Sequence, residues 1–382
     1  MRILTFLHSF EPGGVERVAL RLVRAWREDG ADAPLLMGRE DGAMRAELAD
    51  GLSYDVPRQP FFGSGWFETL WMILILPGAI RRLRPDVLFC AGNSYTIVIA
   101  AMKLILGRNC PPVVAKISND LARPDLPWAI RPFYRMWLRI QGMAIDRFAA
   151  MERPMSEQIA AMMNVPRDRI SVIPNPVLSM AQIDALAARH GDARAVGKGR
   201  RFVAVGRLAK QKNLPMMLQA FSQGAQSGDT LTLLGEGQER RSVEREIIRL
   251  GLQGRVTLAG HVHDPAGQLH RFDILLLSSD YEGVPAVVLE GFAAGLPAIV
   301  TNCCASMAAL VDSGKLGTLV PRGDVAAMAH AIAAARAGTQ DRAAALAQAR
   351  RFTIDNACNA YLRLFHRCVP HAGSAKNIFA AD

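Results

Sequence analysis

Residues 272–301 read FDILLLSSDYEGVPAVVLEGFAAGLPAIVT. The opening run, FDILLLSS, has the length and apolar composition of a strand buried on both faces. Gly283 and Pro285 supply turn chemistry, a helical stretch follows, and LPAIVT begins a second strand. Strand, turn, helix and strand in this order make one βαβ unit of a parallel sheet.

The same alternation runs outward in both directions. RFVAVGRL, DTLTLLGEG, GRVTLAGHV and GTLVP join FDILLLSS and LPAIVTN as six strand candidates after residue 200, separated by helical stretches or by loops that often carry Gly or Pro. Before residue 178 a first cycle opens with RILTFLH, the loop EPGG and the amphipathic helix VERVALRLVRAWREDG, which stops at Gly30. PDVLFCAG, PPVVAKIS and DRISVIPNPV follow further helices. Between the cycles LSMAQIDALAARHGDARAVGKGRR is poor in large apolar residues, which places a linker near residues 178–200. The fold class is therefore α/β, with two doubly wound domains. Ligands of such folds sit beyond the carboxyl ends of the strands.

Composition sets the outer limits. The chain has 382 residues, half of them hydrophobic, with 45 Lys plus Arg against 35 Asp plus Glu for a net charge of +10. That length accommodates two cores at roughly 100–200 residues per domain, and the composition excludes a disordered or fibrous chain. The basic excess calls for an anionic partner. Nucleic acid is not expected, because no basic stripe comes with a recognition module. Six cysteines without a C-x-x-C pair argue for reduced thiols. The N-terminal apolar stretch is shorter than a signal peptide needs. Thr69–Ile80, about a dozen apolar-rich residues with an internal proline, falls below the ~18–20 that span a bilayer and reads as a buried or interfacial helix. The expected location is cytoplasmic.

The chemistry concentrates where the opening stretch turns. A strand that feeds a helix through Gly283, Val284 and Pro285 leaves backbone N–H groups facing the cleft, a site for phosphate or another anion. Glu282 stands in that turn, and Glu290 lies eight positions on, a little over two helical turns, where it can face the same cleft. Two glutamates at this spacing would be unremarked surface residues elsewhere; their place between strand and helix gives them meaning.

In this setting the E-x7-E segment resembles the donor-site motif of retaining glycosyltransferases of the GT-B fold, in particular glycosyltransferase family four. The resemblance extends over nearly the whole chain, through PGGVERVALRLVRAW, VIPNPV, VGRLAKQKN, LGEG and GHV in the expected order. It implies two Rossmann-like domains facing across a cleft: an acceptor-binding domain over residues 1–178, onto which a C-terminal helix near 352–370 packs back, and a donor-binding domain over 200–350. It implies a nucleotide diphosphate sugar as donor, with no cofactor and no metal. Arg207 and Lys212, after the strand ending at Gly206, would contact the diphosphate, whose charge grows as it leaves. Glu290 would accept hydrogen bonds from ribose hydroxyls, Glu282 would contact the transferred sugar, and Gly283, Val284 and Pro285 would approach it through backbone. Gly235, Gly237, His261 and Val262 would line the base pocket, although His261 is equally well a solvated loop histidine. Gly13 and Gly14 would let the chain pass close to donor and acceptor, unless they serve only as the turn into a helix.

The sequence departs from the family in two places. Where many members carry a histidine against the transferred sugar, this chain has Ser118, Asn119 and Asp120. Asn119 can bond sugar hydroxyls but carries no proton at neutral pH. Asp120 can carry one, or orient Lys116 or Arg123, and His8 is the nearest replacement by position, unless it is simply packed or solvated as such histidines more often are. After IVTN, Ala305 and Ser306 stand where the family's paired glycines would fall, with no glutamate nearby.

Retention in this family is thought to need no protein nucleophile, and no D-x-D metal motif is present, so a metal-independent hexosyl transfer is expected, on a UDP- or GDP-sugar and a glycan or polyprenyl- or lipid-linked acceptor of cell-surface polysaccharide, exopolysaccharide or lipopolysaccharide synthesis. A sugar-nucleotide epimerase of similar fold, or an inactive nucleotide-sugar-binding scaffold, are the competing readings. Four of the five tryptophans lie in FFGSGWFETLWMILIL and LPWAIRPFYRMWLRIQ, the second with Arg131, Arg135 and Arg139 in one stripe. That helix either packs on the core with solvated arginines or rests on an anionic membrane, at the inner face of the cytoplasmic membrane.

Overall fold

The computed structural model describes residues 1–369 except 12, 43, 61–62, 124–125, 190–198 and 339. Among these, apolar runs too short for helices pair into two parallel sheets. The first contains β1 (Ile3–Leu7), β2 (Leu35–Met37), β3 (Val87–Cys90), β4 (Val113–Ile117), β5 (Arg147–Ala150) and β6 (Ile170–Val172), in the order β2-β1-β3-β4-β5-β6. Its helices are α1 (Gly14–Glu28), the single turn α2 (Arg45–Leu48), α3 (Glu68–Leu83), α4 (Thr96–Leu106), α5 (Arg131–Ala144) and α6 (Arg153–Met163). Sequence reading finds four of these strands. It misses β2 and β5, because three residues carry no period and RFAA lacks the β-branched run that marks a strand.

A helix, α7 (Met180–Ala188), follows. Its Ser179 capping box fixes its start, and Ile183 and Leu186 are buried, so the first half of the expected linker packs as structure. Residues 190–198 of that linker lie outside the described residues. The second sheet holds β7 (Arg201–Val205), β8 (Thr230–Leu234), β9 (Val256–Gly260), β10 (Ile274–Leu277), β11 (Ala298–Thr301) and β12 (Gly317–Val320), in the order β12-β11-β10-β7-β8-β9. All six were legible as apolar runs. Around them lie α8 (Leu214–Gly224), α9 (Arg240–Arg249), α10 (Ala286–Ala293), the short α11 (Met307–Leu310) and α12 (Val325–Ala334). Arg200 and Arg201 anchor the entry into β7 through Asp229 at 2.5 Å and Asp273 at 3.0 Å.

The chain then returns through α13 (Arg342–Arg350) and α14 (Ile354–His366). The two crossing segments lie side by side: Val177 N–H donates to Phe352 O at 2.9 Å and Ile354 N–H to Leu178 O at 3.0 Å. Past the crossing, α14 packs on α1. Trp26 meets Phe365 edge-on at 5.1 Å and Phe89 at 5.1 Å, with all three rings buried, so the C-terminal helix completes the first domain's core.

Strand order reverses between β1 and β3 in the first sheet and between β7 and β10 in the second. Helices leave opposite faces at such points, which opens a crevice at the strand ends.

Candidate active site

The second-domain half is built on the loops after β7, β8 and β10. Gly206 and Gly235 have φ of +148° and +150°, and a Cβ on Gly235 would lie 2.0 Å from Gly206 O. Only glycine permits this approach of two loops. Gly237 sits as tightly, with a Cβ reaching 2.4 Å from Leu208 O. Arg207, next in the chain, is exposed. Asn213 caps α8 from a left-handed conformation and donates to Asp280 Oδ1 at 2.9 Å, while Gln211 Nε2 donates to Tyr281 O at 2.7 Å. The loops after β7 and β10 are thus stitched together. They present Lys212 and Glu282 to each other: Nζ to Oε1 is 2.6 Å, and Ser279 Oγ donates to the same oxygen at 2.8 Å.

Past Glu282 the chain enters α10 through Gly283, Val284 and Pro285, all buried. A Cβ on Gly283 would stand 2.0 Å from Ser118 O of the first domain. Glu290, half-buried on α10, faces α1: burial pushes its carboxyl above the ordinary range, Arg21 and Arg17 pull it back, and Asp264 adds to the push. Arg21 also donates to Val177 O at 2.5 Å, at the domain crossing. His261 is exposed and Val262 packs against the core, beside the loop of Gly235, whose N–H donates to Gly260 O at 2.8 Å.

On the first-domain side, Gly13 caps α1, and its Cβ direction points at the Glu16 carboxylate of the same helix, whereas Gly14 is exposed with open space around it. A polar cluster lies beneath the end of β4. Lys116 is buried and its amine is pushed down to about 8 by burial, with Glu16 acting against the shift. Its Nζ lies 3.4 Å from Ser118 Oγ; Tyr95 Oη donates to Glu16 Oε1 at 2.8 Å, and the His8 ring stacks on Tyr95 at 4.7 Å. Burial holds His8 below the usual imidazole range, so it is neutral at pH 7. Asn119 is exposed above this cluster.

Asp120 joins the domains. Its N–H donates to Glu282 O at 3.3 Å, its Oδ2 accepts from Ala305 N–H at 3.1 Å, and its Oδ1 accepts from Ala122 N–H at 2.9 Å. Arg123 adds a cation–π contact, 4.8 Å above the Tyr281 ring. Ala305 and Ser306 hold negative φ, so the backbone here requires glycine at neither position.

The structure therefore gathers Gly206, Arg207, Lys212, Glu282 and Gly283 with Ser118–Asp120, and sets Glu290 against α1. Sequence reading missed Arg17 and Arg21. Their i, i+4 spacing in GGVERVALR, on one helix face, was the available signal. It also passed over the Glu16–Tyr95–Lys116 cluster, marked only by a lysine inside the apolar run VVAKI. Lys212 held at Glu282, with the exposed Arg207 beside it and backbone N–H groups and carboxylates around them, is suited to holding a diphosphate and a polyhydroxyl group together.

Comparison with known proteins matches both halves of the chain to described families. The family description Glycosyltransferase Family 4 matches residues 12–177, and Glycosyl transferases group 1 matches residues 199–336. The lipopolysaccharide core biosynthesis glycosyltransferase LpsE of Rhizobium meliloti is 29% identical over 334 residues, 86% of this chain and 87% of that protein. An exopolysaccharide phosphotransferase of Streptomyces coelicolor is 27% identical over 257 residues; the match takes in 66% of this chain but only 25% of that longer protein. Among solved structures, Anabaena HepE in complex with UDP and glucose superposes with a TM-score of 0.74 at 19% identity, over 96% of this chain and 99% of that one.

Proposed function

Because this chain is a glycosyltransferase of the GT-B fold, of the family-four type, we propose that it moves a hexose from a nucleoside diphosphate sugar to a glycan or lipid-linked acceptor with retention at the anomeric carbon. The observation that carries the reading is the convergence of Arg207, Lys212 and Glu282 at the switch point between β7 and β10, with Glu290 on the helix that follows.

In this reading Glu290 accepts hydrogen bonds from the ribose diol, and Arg207 and Lys212 take the diphosphate. An arriving diphosphate draws the Lys212 ammonium from Glu282 and frees that carboxylate for the sugar hydroxyls. The acceptor oxygen attacks C1 on the face the diphosphate leaves. The C1–phosphate oxygen bond breaks, the new C1–oxygen bond forms, and the acceptor proton passes to the departing phosphate oxygen. The two cations stabilise the leaving group most where its charge is greatest, the part a divalent metal plays in other folds. The reaction is metal-independent and belongs to surface polysaccharide synthesis on the cytoplasmic side. HepE, similar in fold, was crystallised with UDP and glucose, and LpsE is named for lipopolysaccharide core synthesis; both support the substrate classes.

Thermal shift across UDP-, GDP- and ADP-sugars identifies the donor, since a ligand of the folded state raises the melting temperature. NMR of the product made from that donor, with chelator present, then reads the anomeric configuration. An inverted product, or transfer that stops with chelator, sinks the corresponding part of the proposal.

A further inference from the structure

The first domain carries a solvent-facing apolar surface that its own core does not use. Among the described residues, twelve of the fifteen strongly exposed large apolar side chains fall between Trp66 and Met143. They lie on three helices that pack side by side, α3 on α4 and α4 on α5. Each helix contributes a stripe at helical spacing. On α5 it is Phe133, Met136, Ile140 and Met143, opposite the buried Leu138 and Gly142. On α3 it is Leu70 and Leu74, one turn apart. On α4 it is Ile97, Leu104 and Ile105, opposite the buried Val98, Ile99 and Met102, so this helix is apolar on both faces. A helix apolar all round belongs between two apolar layers, and here the sheet is only one of them. Two tryptophans mark the margin: Trp66 before α3 is 80% exposed and Trp128 before α5 is 83% exposed.

We propose that α3, α4 and α5 together form a docking face for an anionic lipid bilayer, lying in its interface. Charge selects this occupant over a second copy of the chain. The three helices hold six Lys or Arg against Glu68, and the exposed Arg135 and Arg139 run along α5 beside its apolar stripe. Two such basic faces repel, whereas acidic head groups attract them. Tryptophans suit the head-group boundary, and leucine, methionine and phenylalanine the layer beneath. None of the described helices is long and apolar enough to cross a membrane, so the face rests on it. The same surface adjoins the cleft: Arg123 lies over Tyr281 of the second domain, Leu126 N–H donates to Arg123 O at 3.2 Å, and Arg131, the first residue of α5, donates to Leu126 O at 3.1 Å. This deepens the acceptor half of the function proposed above, since a lipid-linked acceptor would reach the cleft from this side.

Co-sedimentation of the full chain with phosphatidylcholine vesicles, with and without phosphatidylglycerol, tests the face without donor or acceptor. The wild type sediments with the anionic vesicles at low salt. L104S/W128S lowers the bound fraction by about tenfold or more, R135E/R139E removes the preference for phosphatidylglycerol, and I248S, on α9 of the other domain, changes nothing. Absence of sedimentation, or equal loss in I248S, overturns the proposal. So does a dimer in sedimentation velocity that L104S dissolves, which would make a second copy the occupant. Transfer activity is scored separately on a water-soluble acceptor. If transfer is absent while vesicle binding stands, the function reading fails and the docking face does not.

Discussion

Lys212 and Glu282, seventy positions apart, stand 2.6 Å from each other across the loops that follow β7 and β10. Each neutralises the other. Neither is left as a lone half-buried charge, and in the function proposed above a diphosphate would release the lysine and a sugar would take up the freed carboxylate.

Lys212→Ala should lower kcat by roughly a hundredfold to a thousandfold, the size expected for one donor to a developing oxyanion. Glu282→Gln keeps an acceptor for Lys212 but weakens its hold. It should bind free nucleoside diphosphate at least as well as the wild type while losing turnover. Parallel calorimetry and steady-state kinetics separate the two, and unchanged turnover in either variant contradicts the assigned roles.

In the proposed function Glu290 links donor binding to acidity. Its carboxyl is raised by burial despite Arg21 and Arg17. The folded chain therefore takes up this proton at higher pH than the unfolded chain. Stability from this group declines as pH climbs from the ordinary carboxylate range through the raised one. Glu290→Gln should melt higher than the wild type at pH 7 and gain little in acid. Donor affinity of the wild type should fall as pH drops through the raised value, whereas the weaker binding of Glu290→Gln should be flat over that range. A titration of nucleotide affinity against pH reads both.

Lys116 behaves in the opposite sense. Its amine titrates near 8 in the fold against 10.5 for a free lysine, so the unfolded state binds more protons between those values and stability rises with pH across that window. Below pH 8 both states are charged and the burial penalty is constant, roughly 3 kcal/mol at 1.36 kcal/mol per unit. Lys116→Met should therefore be more stable than the wild type at pH 7, with the advantage shrinking toward pH 10. A pH series of denaturant midpoints shows it.

Gly283→Ala tests the closeness of the domains. Its Cβ would sit 2.0 Å from Ser118 O, backbone that cannot swing aside. The substitution should destabilise by about 1–3 kcal/mol as an overpacked contact, or separate the domains at this point. Small-angle scattering and the loss of turnover distinguish it from Gly78→Ala on α3, which meets nothing within 4 Å.

The readable parts of this protein share a physical cause. Apolar runs such as FDILLLSS and RFVAVGRL announce parallel strands because both faces are buried, and Gly206 and Gly283 stand out because turns and close approaches exclude side chains. The strands β2 and β5 escaped notice because pairing with β1 and β4, and not their own composition, makes them strands. The polar replacement of the family histidine was visible as Ser118–Asp120, yet nothing in that triplet predicted that Asp120 would spend a carboxylate oxygen on Ala305 across the cleft.

From sequence alone come two doubly wound domains, the order of the loops along the cleft and the residue types able to hold a nucleotide sugar, because local period and turn chemistry are written in consecutive residues. Only the tertiary structure decided that Lys212 meets Glu282, that Glu290 looks toward Arg17 and Arg21 of the other domain, and that the apolar stripes of α3, α4 and α5 merge into one face. Contacts of that kind depend on where right-handed crossovers set each strand end and helix face, and that placement comes from packing the whole chain at once.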